Sequence, residues 1–195
     1  MSYDLFFYRD KEQPAITGTA FQKYFRARAH YHVKDSQAWY ENEDTGVYFS
    51  FDYGESEEEE GTGNVLFNMN YNRPHIFGLE AELEVSAFVQ FFRVLVDDPQ
   101  DAGMGQGAYT PQGFLQGWNA GNRFGCQTMI SMEDAVNKVD VLPRSLIESS
   151  WRWNINRKRL EDKLEQDLIV GFVPRIMFIR HQGKSLALLS GPTKW

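Results

Sequence analysis

A dense group of carboxylates in the first third of the chain offers the clearest chemistry in the sequence. The segment YENEDTGVYFSFDYGESEEEE, residues 40–60, holds nine acids and no Lys or Arg. Adjacent carboxylates repel one another, so they must stay in water or meet a cation. A concentrated negative field speeds the capture of a basic partner. The segment therefore predicts either a merely solvated loop or the charged part of a partner-binding site, formed by Asp52, Glu55, Glu57, Glu58, Glu59 and Glu60.

Aromatic side chains beside these acids supply contact area for the same predicted site. Tyr48 alternates with apolar residues along a predicted strand, and Tyr53 follows at its end. Rigid rings flanked by acids suit a binding surface, because they bury area at low entropic cost. The alternative is that another element covers these rings. We expect Tyr48 and Tyr53 to contribute contact area to the partner-binding site.

A second group of polar residues could serve an enzyme instead. Cys126 is the chain's one cysteine, and its nominal partners are His75 and Asn122, with Asn119 and Arg123 nearby in sequence. A catalytic thiol needs electropositive surroundings and a histidine within hydrogen-bond reach, whereas a lone cysteine is usually a small buried apolar residue. The chain has no Gly-x-Ser-x-Gly motif. An active-site cleft around these residues is an alternative that predicts a deep pocket and a strongly shifted pKa.

The sequence predicts no metal site and no cofactor. Its four histidines, at positions 30, 32, 75 and 181, show none of the usual ligand spacings. The acidic run lacks the alternating Asx and Gly residues of a calcium loop. The segment 103–108 fits the pattern G-x-G-x-x-A, but Asp97, Asp98 and Asp101 would repel a pyrophosphate, and no helix is predicted directly after it.

These residues must be positioned by a sheet and its helices. Short β-forming runs at Tyr3–Arg9, Tyr31–Tyr40, Val47–Tyr53 and Asn64–Asn70 predict strands, the last three joined as a meander. A capping box at Thr19 begins a short helix, and Glu80 begins a longer helix that runs through the apolar stretch 93–96. The expected class is α+β: an antiparallel sheet, β-α-β-β-β-α in order, with helices on one face.

The rest of the chain predicts a more helical portion. The Gly- and Pro-rich segment 101–113 is expected to be a loop or linker between a sheet portion, 1–100, and a helical portion, 114–195. Residues 114–129 are weakly helical because Gly117, Gly121 and Gly125 interrupt them. A capping box at Ser145 begins a stronger helix ending near Gly171, and a β-hairpin turning at Gln182 closes the chain. We expect this portion to pack on the first as one unit.

Charge and composition narrow the partners and the location. The net charge is −7, and the acids are concentrated in residues 1–110, which would repel nucleic acid. The segment MSYDLFFYRD lacks the features of a secretory signal, and no run approaches the ~18 apolar residues of a membrane span. One cysteine fits a reducing compartment. We expect a cytoplasmic protein with no nucleic-acid or membrane partner and an unknown oligomeric state.

Three stretches carry a resemblance to known proteins. They are MSYDLFF (1–7), YENEDTGVYFSF (40–51) and RPHIFGLEA (73–81), and they resemble small uncharacterised bacterial proteins. In general type the chain is similar to the immunity proteins of polymorphic toxin systems. That resemblance implies a compact, acidic α+β protein that blocks a toxin by binding it, and it implies no catalytic residues.

Three functions follow as hypotheses. The first is a non-enzymatic binding protein, of the immunity type, that uses its acids and rings to occlude a basic surface on a partner toxin or enzyme. The second is an enzyme with the cleft around Cys126, His75 and Asn122. The third is a subunit of a larger assembly, which predicts a large apolar patch on a C-terminal helix.

Overall fold

The protein was analysed as a computed structural model that describes residues 1–10, 13–54, 64–131, 141–182 and 184–190. The chain divides into two compact units. The first comprises Met1–Asn42 and Val47–Ala135, and the second comprises Glu43–Gly46 and Val136–Trp195. The segment 101–113, for which the sequence predicts a loop or linker, contains a short strand and the start of a helix, and both belong to the first unit.

The first unit is a seven-stranded antiparallel sheet with three helices. The strands lie in the order β2-β3-β4-β5-β1-β6-β7. In chain order the elements are β1 (Ser2–Arg9), α1 (Gly18–Arg26), β2 (Tyr31–Lys34), β3 (Gln37–Asn42), β4 (Val47–Tyr53), β5 (Val65–Asn70), α2 (Ile76–Phe92), β6 (Val94–Asp98), β7 (Gly105–Gly107) and α3 (Pro111–Ile130). The α+β class predicted from the sequence is confirmed.

All three helices cover the same face of this sheet. Alternate residues of β1, β4 and β5 point to that face and are fully buried there, as expected from the two-residue period of a strand. Ring contacts join the face to each helix: Phe51 to Phe25 of α1 at 4.9 Å, Phe7 to Phe88 of α2 at 5.0 Å, and Tyr3 to Phe114 of α3 at 5.1 Å. The core is therefore aromatic and lies on one side of the sheet.

Two segments differ from the elements that the sequence predicts. The segment Tyr31–Tyr40 is a hairpin rather than one strand, because Asp35 takes a left-handed conformation with φ of 48°. The stretch 93–96, predicted as a helix end, enters strand β6. Arg93 terminates α2 in a left-handed conformation, φ 53°, and the apolar residues that follow pair with β1 inside the sheet. Short apolar runs fit both structures, and here the strand pairing decides.

Glycines allow α3 to lie close to the sheet. They recur every four residues, at 113, 117, 121 and 125, and so fall on one face of the helix. A Cβ atom at Gly121 would lie 2.1 Å from the ring of Tyr71, and one at Gly117 would lie 2.9 Å from the hydroxyl of Tyr3. The residues that weaken the helical pattern are thus the ones that permit its packing.

The second unit contains two helices and a hairpin. They are α4 (Arg144–Ile155), α5 (Arg157–Gln166), β8 (Arg175–His181) and β9 (Lys184–Ser190). The helix predicted from Ser145 to near Gly171 is interrupted at Asn156, which separates α4 from α5. The predicted hairpin is confirmed, with Gln182 at φ 48° in its turn. The side chain of Asn154 joins α4 to β8, donating to the carbonyl of Ile176 (2.8 Å) and accepting from its N–H (2.9 Å).

Arg157 organises the start of α5 in this unit. Its guanidinium forms an ion pair with Asp44 in the segment Glu43–Gly46, bonds Glu161 at 3.2 Å, and donates to the carbonyl of Val173 at 3.0 Å. Lys158 pairs with Asp162 four residues on. Both of these pairs, Arg157 with Glu161 and Lys158 with Asp162, have the four-residue spacing that brings opposite charges together on a helix.

Candidate partner-binding face of the sheet

The residues predicted as the binding site are only partly within the described structure. Glu55, Glu57, Glu58, Glu59 and Glu60 lie outside the described residues. Asp52, Tyr48 and Tyr53 lie in strand β4. The side chains of β4 alternate, so Tyr48 and Asp52 point to one side of the sheet while Tyr53 points to the other.

Tyr53 lies on the side of the sheet that the helices cover. Its ring lies 5.6 Å from the ring of Phe21 in α1. A Cβ atom at Gly18, the first residue of α1, would lie 3.3 Å from the same ring. Tyr53 therefore packs beneath the start of α1 and does not share a surface with Tyr48 and Asp52.

No helix of the described residues packs along the opposite side of the sheet, which we call the open face. Helix α2 reaches it at one end, where the ring of Phe77 lies 5.4 Å from the ring of Tyr48. Strand register arranges its side chains in rows across the sheet. One row runs Asp52, Leu66, Phe6, Asp97, from β4 through β5 and β1 to β6. Phe6 is 38% exposed. Two apolar side chains thus lie between two carboxylates whose strands are about 14 Å apart, at ~4.8 Å per strand.

Asp52 is held by neutral donors. Its Oδ1 accepts from Nε2 of Gln37 at 2.6 Å, and its Oδ2 accepts from the hydroxyl of Ser50 at 2.8 Å. Gln37 faces Asp52 across the β3–β4 pair, and Ser50 lies two residues away on the same side of β4. The carboxylate is fixed in orientation, yet its charge is not compensated by either partner.

Asp4 repeats the arrangement in the neighbouring row. Its Oδ1 accepts from Nδ2 of Asn68 at 2.5 Å, and its Oδ2 accepts from the hydroxyl of Ser2 at 2.8 Å. Asn68 lies between Asp4 and Ser50 in the strand register. Among the described residues, no Lys or Arg forms an ion pair with any carboxylate of the open face, that is with Asp4, Glu41, Asp52 or Asp97.

Stacked rings occupy one end of the open face. The rings of Trp39 and Tyr48 are 5.5 Å apart and inclined by 22°. The indole N–H of Trp39 donates to Glu41 at 3.3 Å, which keeps a carboxylate at the edge of this pair. The guanidinium of Arg73 lies 5.0 Å from the centre of the Tyr48 ring, within cation–π range. Both rings remain half-buried rather than enclosed.

Two bases line one edge of the open face. His32 and Lys34 belong to β2, the outermost strand, and face Trp39 and Gln37 in the register. Both are exposed. The open face thus carries bases along β2 and carboxylates on strands further in. A bound partner would have to present complementary charges in the same order.

The residues of the alternative active site have structural contacts. Asn122 of α3 donates from Nδ2 to the carbonyls of Tyr71 (2.6 Å) and Arg73 (2.7 Å), and lies 3.7 Å from the sulfur of Cys126. Asn122 thereby fastens the chain that leads from β5 to α2. Cys126 is half-buried, and His75 is the residue before α2. The three do not form a catalytic arrangement in the contacts described.

The two grooves described lie along helix α1, and no cluster of metal ligands is found in the described part of the chain. Two grooves, of about 390 and 470 Å³, run along α1, and Tyr53 and Tyr24 contribute to their walls. Within the described ranges no three His, Cys, Asp or Glu side chains are grouped to hold a metal ion. Nor does any helix described there have the length and apolar character to span a bilayer.

Sequence reasoning missed Asp4 and Asp97 as members of one surface. The alternation of Ser2, Asp4 and Phe6 against Tyr3, Leu5 and Phe7 is visible in the sequence and could have placed Asp4 on the outer side of β1. The pairing of β1 between β5 and β6 was not visible, because neighbouring strands here are far apart in sequence.

Comparisons with protein-family models, with curated proteins and with solved structures find no match to this chain. No relative therefore bears on its activity, and the resemblance to immunity proteins stays a prediction. Any function proposed for the chain must be argued from the open face itself.

Proposed function

We propose that the chain is a non-enzymatic protein that binds a basic protein partner across the open face. The observation that carries the proposal is the bonding of Asp4 and Asp52. Each carboxylate accepts two hydrogen bonds from neutral side chains and, among the residues that the structure describes, none from a cation. A carboxylate held in this way is oriented before binding and keeps its full charge for the partner.

The row between Asp52 and Asp97 indicates the chemistry of the partner surface. Cations separated by about 14 Å would face the two carboxylates, and an apolar side chain between them would cover Phe6 and Leu66. The stacked pair of Trp39 and Tyr48 adds rigid area at one end. A surface rich in Lys and Arg is what an enzyme uses to hold an anionic substrate, so covering it would inhibit that enzyme.

The charge distribution supports capture from a distance. By sequence, the first unit holds 19 acids and 9 bases, a net charge of −10, whereas the second holds 8 acids and 11 bases, a net charge of +3. A field of this sign raises the association rate of a basic protein and loses strength with salt. Within this proposal, the biological type that fits best is an immunity protein acting on a toxin in the cytoplasm.

A paired capture experiment tests the proposal. Wild type and the Asp4→Asn/Asp52→Asn variant are immobilised and exposed to lysate of the cells that make the protein, and bound proteins are eluted by salt and identified by mass. The proposal predicts a basic partner that associates about tenfold more slowly with the variant at low salt. Glu165→Gln/Asp167→Asn, which removes the same number of charges at the end of α5, is the control. A partner that is acidic, or that binds both forms at equal rates, contradicts the proposal.

A further inference from the structure

The hairpin of the second unit exposes an apolar strand. Leu186, Leu188 and Leu189 of β9 are 43%, 42% and 68% exposed. On β8, Phe178 and Ile179 are exposed to a similar degree. An isolated two-stranded hairpin is at best marginally stable in water, and further strands or packing against a helix stabilise it. Here helix α4 packs on β8, whereas β9 has no such neighbour among the described residues.

Backbone geometry shows which groups of the hairpin point outward. His181 and Lys184 are the last pair before the chain reverses and form a hydrogen-bonded pair. Alternate pairs, including Ile176 with Leu189, therefore direct their N–H and C=O groups away from the hairpin. The side chain of Asn154 confirms this, since it bonds both groups of Ile176 from outside. By the same alternation, Ser185, Ala187 and Leu189 direct theirs away from β8.

The two edges of the hairpin therefore differ. Helix α4 closes the β8 edge at Ile176 through Asn154. On β9, no described residue outside the hairpin bonds the outward groups of Ser185, Ala187 or Leu189. Proteins protect free edges with Lys, Pro or bulges, but residues 185–189 contain none of these and their register is unbroken.

We propose that β9 pairs with β9 of a second copy of this chain, antiparallel and centred on Ala187. In this register the two Ala187 residues exchange hydrogen bonds across a two-fold axis, and Ser185 of each copy faces Leu189 of the other. Leu186 of one copy then lies beside Leu188 of the other on one face. The result is a four-stranded sheet with four leucines in contact at its centre.

The charges of the hairpin are compatible with a second copy in this register. The only charged position in β9 is Lys184, and antiparallel pairing places the two Lys184 positions at opposite ends, about 20 Å apart at ~3.4 Å per residue. The two β8 strands, which carry the arginines, lie outermost and about 14 Å apart, beyond the Debye length at physiological salt. Nothing in residues 185–189 repels an identical strand.

Sedimentation of the full-length chain tests the association. Wild type is expected to form a concentration-dependent dimer. Ala187→Pro removes an N–H that points away from β8, so it leaves the hairpin's own ladder intact and is expected to weaken the dimer at least about tenfold. Ala187→Ser retains the N–H and is expected to dimerise as wild type does. A wild-type chain that stays monomeric up to millimolar concentration overturns the proposal.

Cross-linking tests the register. In a Cys126→Ser background, Ala187→Cys places two thiols opposite each other across the axis, within the Cα separation that a disulfide spans. Ser185→Cys places them about 14 Å apart on opposite sides of the axis. The proposal predicts a disulfide-linked dimer under mild oxidation for Ala187→Cys and little for Ser185→Cys. Equal cross-linking of the two variants contradicts it, whatever the outcome for the open face.

Discussion

The interactions that stabilise the first unit internally differ from those that stabilise the second. The first has a continuous aromatic core on one side of its sheet, and its fully buried residues include Trp118, Phe7, Phe51 and Phe88. In the described part of the second, only Ser150, Asn154 and Val173 are buried, and two of the three are polar. Its elements are joined chiefly by side-chain hydrogen bonds from Asn154 and Arg157.

This difference shows how each unit can contribute to function. Because the core of the first unit supplies ample apolar burial, the other side of its sheet is free to hold polar groups in fixed positions. The second unit buries little, so its stability depends on a few bonds and on whatever covers β9. The changes that follow are ordered from the largest expected effect to the smallest.

Gly121→Ala should destabilise the first unit most. The new Cβ would lie 2.1 Å from the ring of Tyr71, and neither the helix nor the ring can move without disturbing the core. We expect a loss of about 2–3 kcal/mol in the free energy of unfolding, despite the better helix propensity of alanine. Denaturant unfolding followed by tyrosine fluorescence reports on this unit, which contains all nine tyrosines.

Gly54→Ala is the matched control for that change. Gly54 has no atom within 4 Å of its Cβ position and no positive φ, so alanine should alter stability by less than about 0.5 kcal/mol. Equal stability of Gly121→Ala and wild type would mean that α3 does not pack as closely as described.

Asn154→Ala should loosen the second unit alone. The substitution leaves the N–H and carbonyl of Ile176 without their side-chain partner, at a cost of about 1–3 kcal/mol. Hydrogen exchange is expected to accelerate in β8 and β9 while β1 and β5 stay protected. Asn156→Ala removes one exposed bond and should change little. Faster exchange throughout the chain would contradict the separation into two units.

Alkaline pH should act on the first unit through Tyr24. Burial raises the pKa of its hydroxyl to about 12, from 10.0 for an exposed tyrosine. Since the folded pKa is the higher one, the stabilising contribution is complete below about pH 10 and is lost as the pH rises towards 12. The hydroxyl is buried and has no hydrogen-bond partner among the described residues.

Tyr24→Phe should therefore preserve stability at neutral pH and shift alkaline unfolding to higher pH. Absorbance of the phenolate, recorded with circular dichroism, separates ionisation from unfolding. Tyr53→Phe serves as the comparison. If Tyr24→Phe leaves the alkaline transition unchanged, the hydroxyl does not contribute in the way proposed.

Asp4→Asn and Asp52→Asn should have the smallest effect on stability. Each amide can still accept a hydrogen bond through its oxygen, and both positions are partly exposed. We expect each substitution to change the free energy of unfolding of the first unit by less than about 0.5 kcal/mol, as measured by thermal unfolding. A loss of several kcal/mol would mean that these carboxylates serve the fold rather than a partner.

The sequence predicts the local helices and strands better than it predicts their boundaries and packing. Alternation in β4 and β5 and the turn at Gln182 predicted strands and a hairpin that the structure confirms. The split of 31–40 at Asp35 and the strand after Arg93 depend on left-handed residues that no periodicity reveals. The weakly helical segment 114–129 is α3, which begins three residues earlier, and the glycines that weaken its pattern are required by packing.

Only part of the candidate site can be predicted from the sequence, because alternation within a strand is visible there and pairing between distant strands is not. Asp52 and Tyr48 could be placed on one side of β4 from alternation alone. Tyr53, expected on the same surface, follows the alternation of Val47, Phe49 and Phe51 and therefore lies beneath α1. Asp4 and Asp97 join the surface through pairings between distant segments, which a single sequence does not disclose.

A nuclear magnetic resonance titration tests the open face most directly. The side-chain amides of Asn68 and Gln37 donate to Asp4 and Asp52, so their NH₂ signals report on a cation that approaches either carboxylate. The amide of Asn154, bonded to Ile176 in the second unit, is the internal control. With an arginine-rich peptide at low salt, the account predicts that the Asn68 and Gln37 signals shift saturably, that salt reverses the shift, and that the Asn154 signal stays in place. Shifts confined to other parts of the chain, or unchanged in Asp4→Asn/Asp52→Asn, would contradict it.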